Sequence, residues 1–380
     1  MLRPPKVARQ RYLCGQTSVE LIMFTLAAVL RPHIATLTPY SSARDEYSGT
    51  EGVFLDANEN AFGSTTSAGR YNRYPDPHQT AIKARLTPIK GVPADQIFLG
   101  NGSDEPIDLL IRATCRPGQD NIVILPPTYG MYEVSGNMND VAVRKVPLTA
   151  DYQLDLPAVL SAIDAQTKVV WICSPNNPTG NLIDPAAIRQ VLDAAQSSLV
   201  VVDEAYIDFA GPDYASWTTQ LAHYPNLVVL QTFSKAWGLA ALRLGMCFAS
   251  VAIIRVLNLI KPPYNISAPT QTLALDALNH VAEKDRMVVE TLAECTRLAD
   301  SLRRLPTVEY VFPTDANFLL VRFDDANDVF SQLIDSQVIV RNRSSVTRCE
   351  GCLRISVGTP DENNRLMAVL EGIAVALPNL

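Results

Sequence analysis

Between Ile97 and Phe248 short apolar runs alternate with longer helical stretches, and this alternation limits the fold more than any other feature. The runs are Ile97 to Leu99, Asn121 to Leu125, Lys168 to Cys173, Ser198 to Val202, Asn226 to Leu230 and Leu244 to Phe248. Each is nearly continuous in apolar residues, as expected of a strand buried on both faces. Strands separated by helical segments predict an α/β sheet with mainly parallel strands. After Pro306 the signals change to shorter strands at 308–312, 318–323, 338–341 and 353–357, closed by a helix over 361–376. That pattern predicts a second, smaller α+β domain. The expected division is an extension over 1–22, an N-terminal segment over 23–64 packing with the small domain, a large domain over 65–295 and a small domain over 296–380.

In an open parallel sheet, ligands bind beyond the carboxyl ends of the strands. The polar residues that end these runs are therefore the candidate site. Asn226 to Leu230 leads into Gln231-Thr-Phe-Ser-Lys235, with Arg243 eight positions on. A lysine amine can form a Schiff base with a carbonyl. The hydroxyls of Thr232 and Ser234 and the planar guanidinium of Arg243 can hold a phosphate. A carbonyl and a phosphate on one ligand describe pyridoxal phosphate. Ser198 to Val202 ends in Asp203-Glu-Ala-Tyr206, and an aspartate there is costly to bury without a positive partner. A protonated pyridine nitrogen is such a partner.

The other run ends fit the same picture less specifically. Gly100-Asn-Gly102 opens a helix with Ser103 suited to the N-cap and Asp104 to the first turn, and helix N-termini bind phosphate. Tyr129, just past the second run, can stack on a flat ring or simply pack. Asn177, in the rigid turn Ser174 to Gly180, can offer an amide to a ligand oxygen. The double proline of Asn72-Arg-Tyr-Pro-Asp-Pro77 holds Tyr74 on an extended segment or a surface turn.

The net charge of −7 excludes a general nucleic-acid surface, so an anion site must be a local pocket of arginines. Seven scattered cysteines suit a reducing cytoplasm better than a disulfide framework, and no cysteine or histidine pattern suggests a metal. Cys349-Glu-Gly-Cys352 has redox spacing but leads into a strand rather than a helix. The apolar run Leu21 to Leu30 follows four basic residues, yet it is too short to span a membrane. Met23 offers an internal start, so residues 1–22 are read as a non-native or disordered extension.

Together SPNNPTG, DEAY and TFSK followed by Arg243 resemble the fold type I, pyridoxal-phosphate-dependent aminotransferases. LTPYSSAR, NRYPDP, GNGSDE, PPTYGMY and GCLRISVGT narrow the likeness to the histidinol-phosphate aminotransferases, over residue 33 to the C-terminus. The resemblance implies a PLP-transferase fold, a cytoplasmic homodimer with shared active sites, and no nucleic-acid or membrane partner. It implies that Lys235 bonds the cofactor and carries the proton, that Asp203 pairs with the ring nitrogen, and that Tyr206 and Asn177 bond the ring's 3′-oxygen. Tyr129 would stack on the ring. The backbone of Ser103 and Asp104, with Thr232, Ser234 and Arg243, would hold the cofactor phosphate, and Tyr74 would reach the neighbouring subunit's cofactor. Arg354 would grip a substrate α-carboxylate, and Arg341, Tyr40 and Tyr264 would serve a substrate phosphate. The alternative for each arginine is a surface salt bridge. The substrates implied are histidinol phosphate, glutamate and 2-oxoglutarate. An aromatic amino-acid aminotransferase and a threonine-phosphate decarboxylase share these motifs. A nicotinamide dehydrogenase is disfavoured, because Glu105 stands where the third glycine of its fingerprint belongs.

Overall fold

The computed structural model describes residues 24–38, 40, 44, 52–67 and 69–376. The extension expected over 1–22 lies outside them. The large sheet has seven strands: β1 (Ile97–Asn101), β2 (Asn121–Ile124), β3 (Ala142–Lys145), β4 (Thr167–Cys173), β5 (Leu199–Asp203), β6 (Leu227–Thr232) and β7 (Leu244–Ala249). Their order is β1-β7-β6-β5-β4-β2-β3. The five strands from β6 to β3 run parallel, and β7 lies antiparallel to both of its neighbours. Strands β4 to β7 are buried at every residue. Their side chains alternate between two cores, as the pleat requires. Val170, Ile172, Val200 and Val202 enter one core, while Val169, Trp171, Leu199 and Val201 enter the other. Helices cover both faces, which is why these strands read as unbroken apolar runs.

The second sheet is antiparallel, in the order β10-β11-β9-β8, from β8 (Val308–Val311), β9 (Phe318–Phe323), β10 (Arg341–Asn342) and β11 (Cys352–Ser356). The strand expected over 338–341 is displaced. The Val338 N–H donates to Leu333 O at 2.8 Å and closes the preceding helix, so the strand begins only at Arg341. The helical stretch expected from Pro269 divides into Ala268–Ala277 and Val281–Leu302. The second of these crosses the expected boundary at 295. Val288 and Leu292 pack beside Tyr206 and Phe318, whereas Cys295, Leu298 and Leu302 belong to the small-domain core.

The N-terminal segment departs from expectation over residues 24–35. Phe24, Leu26 and Val29 pack into the large-domain core with Phe98, Ile107 and Ile254, not into the small domain. The Phe24 N–H donates to Gln196 Oε1 at 3.1 Å, and the Arg31 N–H to Ala113 O at 2.9 Å.

The six cysteines among the described residues are all free and buried. Burial pushes the Cys349 thiol up to about 12, which leaves little thiolate for redox chemistry. Among the described residues no helix is long and apolar enough to cross a membrane.

Candidate active site

A cavity of about 930 Å³ opens where β4, β5 and β6 end, roofed by residues of the small sheet. It gathers twelve of the candidates: Ser103, Asp104, Tyr129, Asn177, Asp203, Tyr206, Thr232, Ser234, Lys235, Arg243, Arg354 and, from β10, Arg341. Tyr40, Tyr74 and Tyr264 are not in its wall. Tyr40 is exposed, and Tyr74 stacks on Tyr264 with ring centroids 4.3 Å apart.

Register explains the convergence. Cys173 pairs with Asp203, and Asp203 with Leu230, so β4 and β5 finish at one level and β6 runs two residues further, to Thr232. Asp203 is buried and accepts from the Tyr132 hydroxyl at 2.6 Å and from the Ala205 N–H at 3.1 Å. Tyr132 is fully buried and stacked on Trp171, with centroids 4.8 Å apart and planes at 12°. Burial raises the Asp203 carboxyl to about 6, against the two hydrogen bonds and the Lys235 charge, which favour ionisation. Lys235 stands open at the cavity with its ammonium 5.4 Å from the Tyr206 ring centre. Desolvation and the nearby Arg354 guanidinium lower its pKa, which favours the nucleophilic free amine.

The anion end is formed where β1 and β7 meet. Gly102, at φ +68°, lets the Arg243 guanidinium approach, since a Cβ there would lie 2.6 Å from Nη2. A Cβ at Gly245 would lie 2.5 Å from the Ser103 nitrogen. Two glycines thus clear space at the start of the helix Asp104–Thr114. Ser103 does not cap that helix through its side chain; its hydroxyl donates instead to Gln231 O at 3.2 Å. The Thr232 hydroxyl accepts from the Ser234 N–H at 3.0 Å. Arg243 approaches Asp104 at 3.4 Å. Tyr129 donates to the other Asp104 oxygen at 3.0 Å, so its ring lies along the cavity wall. The start of a helix, two hydroxyls and an exposed guanidinium could hold a phosphate here, and Lys235 and Asp203 lie beyond them. These residue types fit pyridoxal phosphate.

The small domain closes the other side. Arg354 on β11 donates to Asn177 Oδ1 at 2.5 Å and lies over Phe318. Arg343, Ser345, Val346 and Thr347 also line the cavity. Two participants were not found by sequence reasoning. Tyr132 sits inside the PPTYGMY stretch and has the look of a helix core residue. Arg343 appeared only as one charge among several.

The sequence matches the family model described as aminotransferase class I and II over residues 47–370. It is 56% identical over 348 residues to histidinol-phosphate aminotransferase of Cytophaga hutchinsonii, covering 92% of this chain and 99% of that protein. The chain belongs to the histidinol-phosphate aminotransferase family. Its likeness to the Parabacteroides distasonis member is 50% over 351 residues, covering 92% and 99% of the two chains. Among solved structures, histidinol-phosphate aminotransferase from Clostridium acetobutylicum superposes with a TM-score of 0.74 at 23% identity, over 81% of this chain and 92% of that one. The Sinorhizobium meliloti enzyme, solved in complex with pyridoxal-5′-phosphate, gives 0.73 at 24% over 84% and 90%. L-threonine-O-3-phosphate decarboxylase from Porphyromonas gingivalis gives 0.68 at 22% over 80% and 91%. The fold is therefore common to several chemistries, and the family assignment rests on sequence identity.

Proposed function

We propose that the chain is a pyridoxal-phosphate-dependent aminotransferase that exchanges an amino group between glutamate and imidazole-acetol phosphate, in the direction of histidinol phosphate. The observation that carries this reading is one cavity holding Lys235, a buried Asp203 and, from the second domain, Arg354. When bound, the cofactor supplies the aldehyde that takes the amino group and a ring that withdraws electrons. Asp203 would hold a negative charge against the ring nitrogen. Tyr206 and Asn177 would donate to the ring's 3′-oxygen, and Tyr129 would cover the ring face. The backbone of Ser103 and Asp104, with Thr232, Ser234 and Arg243, would hold the cofactor phosphate. Lys235 would move the proton at the substrate's α-carbon. Arg354 would orient the α-carboxylate of glutamate and Arg341 would serve the substrate phosphate; Tyr40 and Tyr264, outside this chain's cavity wall, would join Arg341 only on assembly with a second subunit.

The assembly we infer is a cytoplasmic homodimer with shared sites. Tyr40, Val53, Leu55, Phe62 and Tyr74 are exposed along one stretch of chain, which suits a surface that a second subunit would cover. Tyr74 would serve the neighbouring subunit from that surface.

The test is a half-reaction. Cofactor-loaded protein is mixed separately with histidinol phosphate, phenylalanine or threonine phosphate, and the cofactor spectrum reports amino transfer. Fast conversion by histidinol phosphate and slow conversion by phenylalanine are expected. Preference for phenylalanine, or carbon dioxide release from threonine phosphate, would overturn the reading. Lys235→Ala is expected to lower turnover by roughly 10⁴-fold while the protein still folds; substantial retained turnover would remove the lysine from its role.

A further inference from the structure

The charges lining the cavity do not balance within the chain. Glu133 pairs with Lys145 at 2.6 Å, Asp104 with Arg243 at 3.4 Å, and Asp203 takes its hydrogen bond from Tyr132. Among the described residues, Arg341, Arg343 and Arg354 have no carboxylate partner. The single side-chain bond of this trio goes from Arg354 to the neutral amide oxygen of Asn177.

Backbone geometry sets the trio together. Arg341 lies opposite Arg354 in the β10–β11 register, and the Arg343 N–H extends the ladder to Cys352 O at 2.9 Å. Positions 341 and 343 of an extended chain share a face, and both reach the cavity. They differ in setting. Arg341 is exposed, whereas Arg343 is half-buried and its Nε is sealed from solvent with no hydrogen-bond partner. Burial, then the charges of Arg354 and Arg341, lower the Arg343 pKa. A cation buried beside cations is costly unless an anion joins it.

The two amino donors differ in the anion they bring. Glutamate carries a carboxylate, one charge, on its α-carbon. Histidinol phosphate has no carboxylate; its phosphate hangs one carbon further out from the same centre and carries up to two charges. Both anions therefore arrive at the Arg354 end, and the larger charge calls for a further guanidinium there. We propose that Arg343 reads the second negative charge of the phosphorylated substrate and so separates a phosphate monoester from a carboxylate at one end of the pocket. This rests on the function proposed above.

The decisive measurement is calorimetric binding of histidinol phosphate to the holoenzyme already in its amine form, where no transfer follows. Arg343→Gln is expected to weaken this binding roughly 30- to 100-fold, and to slow the glutamate half-reaction, which involves no phosphorylated substrate, less than about fivefold. The pH profile is the sharper readout. A phosphate monoester gains its second charge near pH 6, so wild-type affinity is expected to rise between about pH 5 and 7. In Arg343→Gln most of that rise disappears; Arg343→Lys, which keeps the charge but not the fork, restores part of it. Equal loss of both donors, or an unaltered pH rise, would overturn the proposal. If Arg343→Gln does not retain cofactor, Arg343→Lys carries the test, with an expected loss for histidinol phosphate alone of about tenfold. If wild type itself fails to bind histidinol phosphate, the proposed function falls first and this proposal with it.

Discussion

On the large-domain wall of the cavity each carboxylate has a partner in the chain, whereas on the small-domain wall three arginines have no carboxylate among the described residues. Asp104 has Arg243, Glu133 has Lys145, and Asp203 has Tyr132. The first wall is set by folding itself. Its groups sit at the ends of strands whose register is fixed by two cores. The second wall waits for a ligand. Arg341 and Arg343 hang from a two-residue strand and the turn after it, beside Arg354 on β11. The walls are tied below the cavity by the Asp315 N–H to Gly180 O at 2.8 Å and the Leu182 N–H to Asp315 Oδ2 at 2.8 Å. Within the cavity Arg354 and Asn177 join them. A preorganised cofactor wall facing an unsatisfied substrate wall suits one pocket that must take two differently shaped anions in turn.

The most direct way to break this contrast is Arg354→Ala. If the arginine belongs to the substrate wall, kcat/KM for glutamate falls roughly 100- to 1000-fold while cofactor affinity changes little. Steady-state kinetics beside a cofactor titration decide it. An equal loss of cofactor would show that the Arg354–Asn177 bond props the first wall, and the division would fail.

The first wall is probed by Tyr132→Phe. The Tyr132 hydroxyl favours the ionised form of Asp203, so its loss raises the Asp203 pKa beyond its already elevated position near 6. A cofactor whose ring nitrogen is positive binds the carboxylate form better, so affinity fades as pH falls through that pKa. The variant is expected to bind pyridoxal phosphate roughly tenfold more weakly at neutral pH, and its affinity begins to fade at higher pH than in wild type. Fluorescence titration between about pH 5 and 8 measures both effects. A profile that weakens without shifting would reduce Tyr132 to a packing role.

The large domain was legible because its central strands are buried on both faces, and such strands write themselves as apolar runs. The edge strand β3 was not. Its four residues, Ala142 to Lys145, include two cations and none is fully buried, so no apolar signal marks it. Arg341 and Arg354 were legible through the motifs around them. Arg343 was not, because a charge in a crowded turn gains meaning only when its neighbours prove to be cations. Tyr132 was hidden for the opposite reason. Its burial and its stack on Trp171 give it the signature of core, and only the 2.6 Å bond to Asp203 separates it from core. The Ser103 hydroxyl is a local rule overridden by tertiary context. The residue stands at the cap position, yet the neighbouring strand offers Gln231 O.

The smallest expected effect concerns Glu204, behind the cofactor wall. Its buried carboxyl accepts from Ser216 Oγ at 2.5 Å, the Trp217 N–H at 2.8 Å and Gln231 Nε2 at 2.9 Å. These donors are neutral, and burial still raises the group to about 7 from its ordinary 4.5. Between those values the folded protein keeps a proton that the unfolded chain releases, so this group makes stability fall as pH rises. Asp203 contributes in the same direction, and comparing Glu204→Gln with wild type isolates Glu204. The glutamine keeps its oxygen for the Trp217 N–H, but its amide nitrogen replaces the oxygen that accepted from Ser216 and Gln231 and so meets the Gln231 amide donor to donor. The variant should therefore melt below wild type near pH 5 and gain on it by roughly 2 °C as pH approaches 8. Thermal melts of the cofactor-free proteins across that range measure the difference. Parallel curves would mean that the three neutral donors suffice to keep Glu204 ionised. The large-domain wall would then rest on a second fixed negative charge rather than on a proton it holds until pH 7.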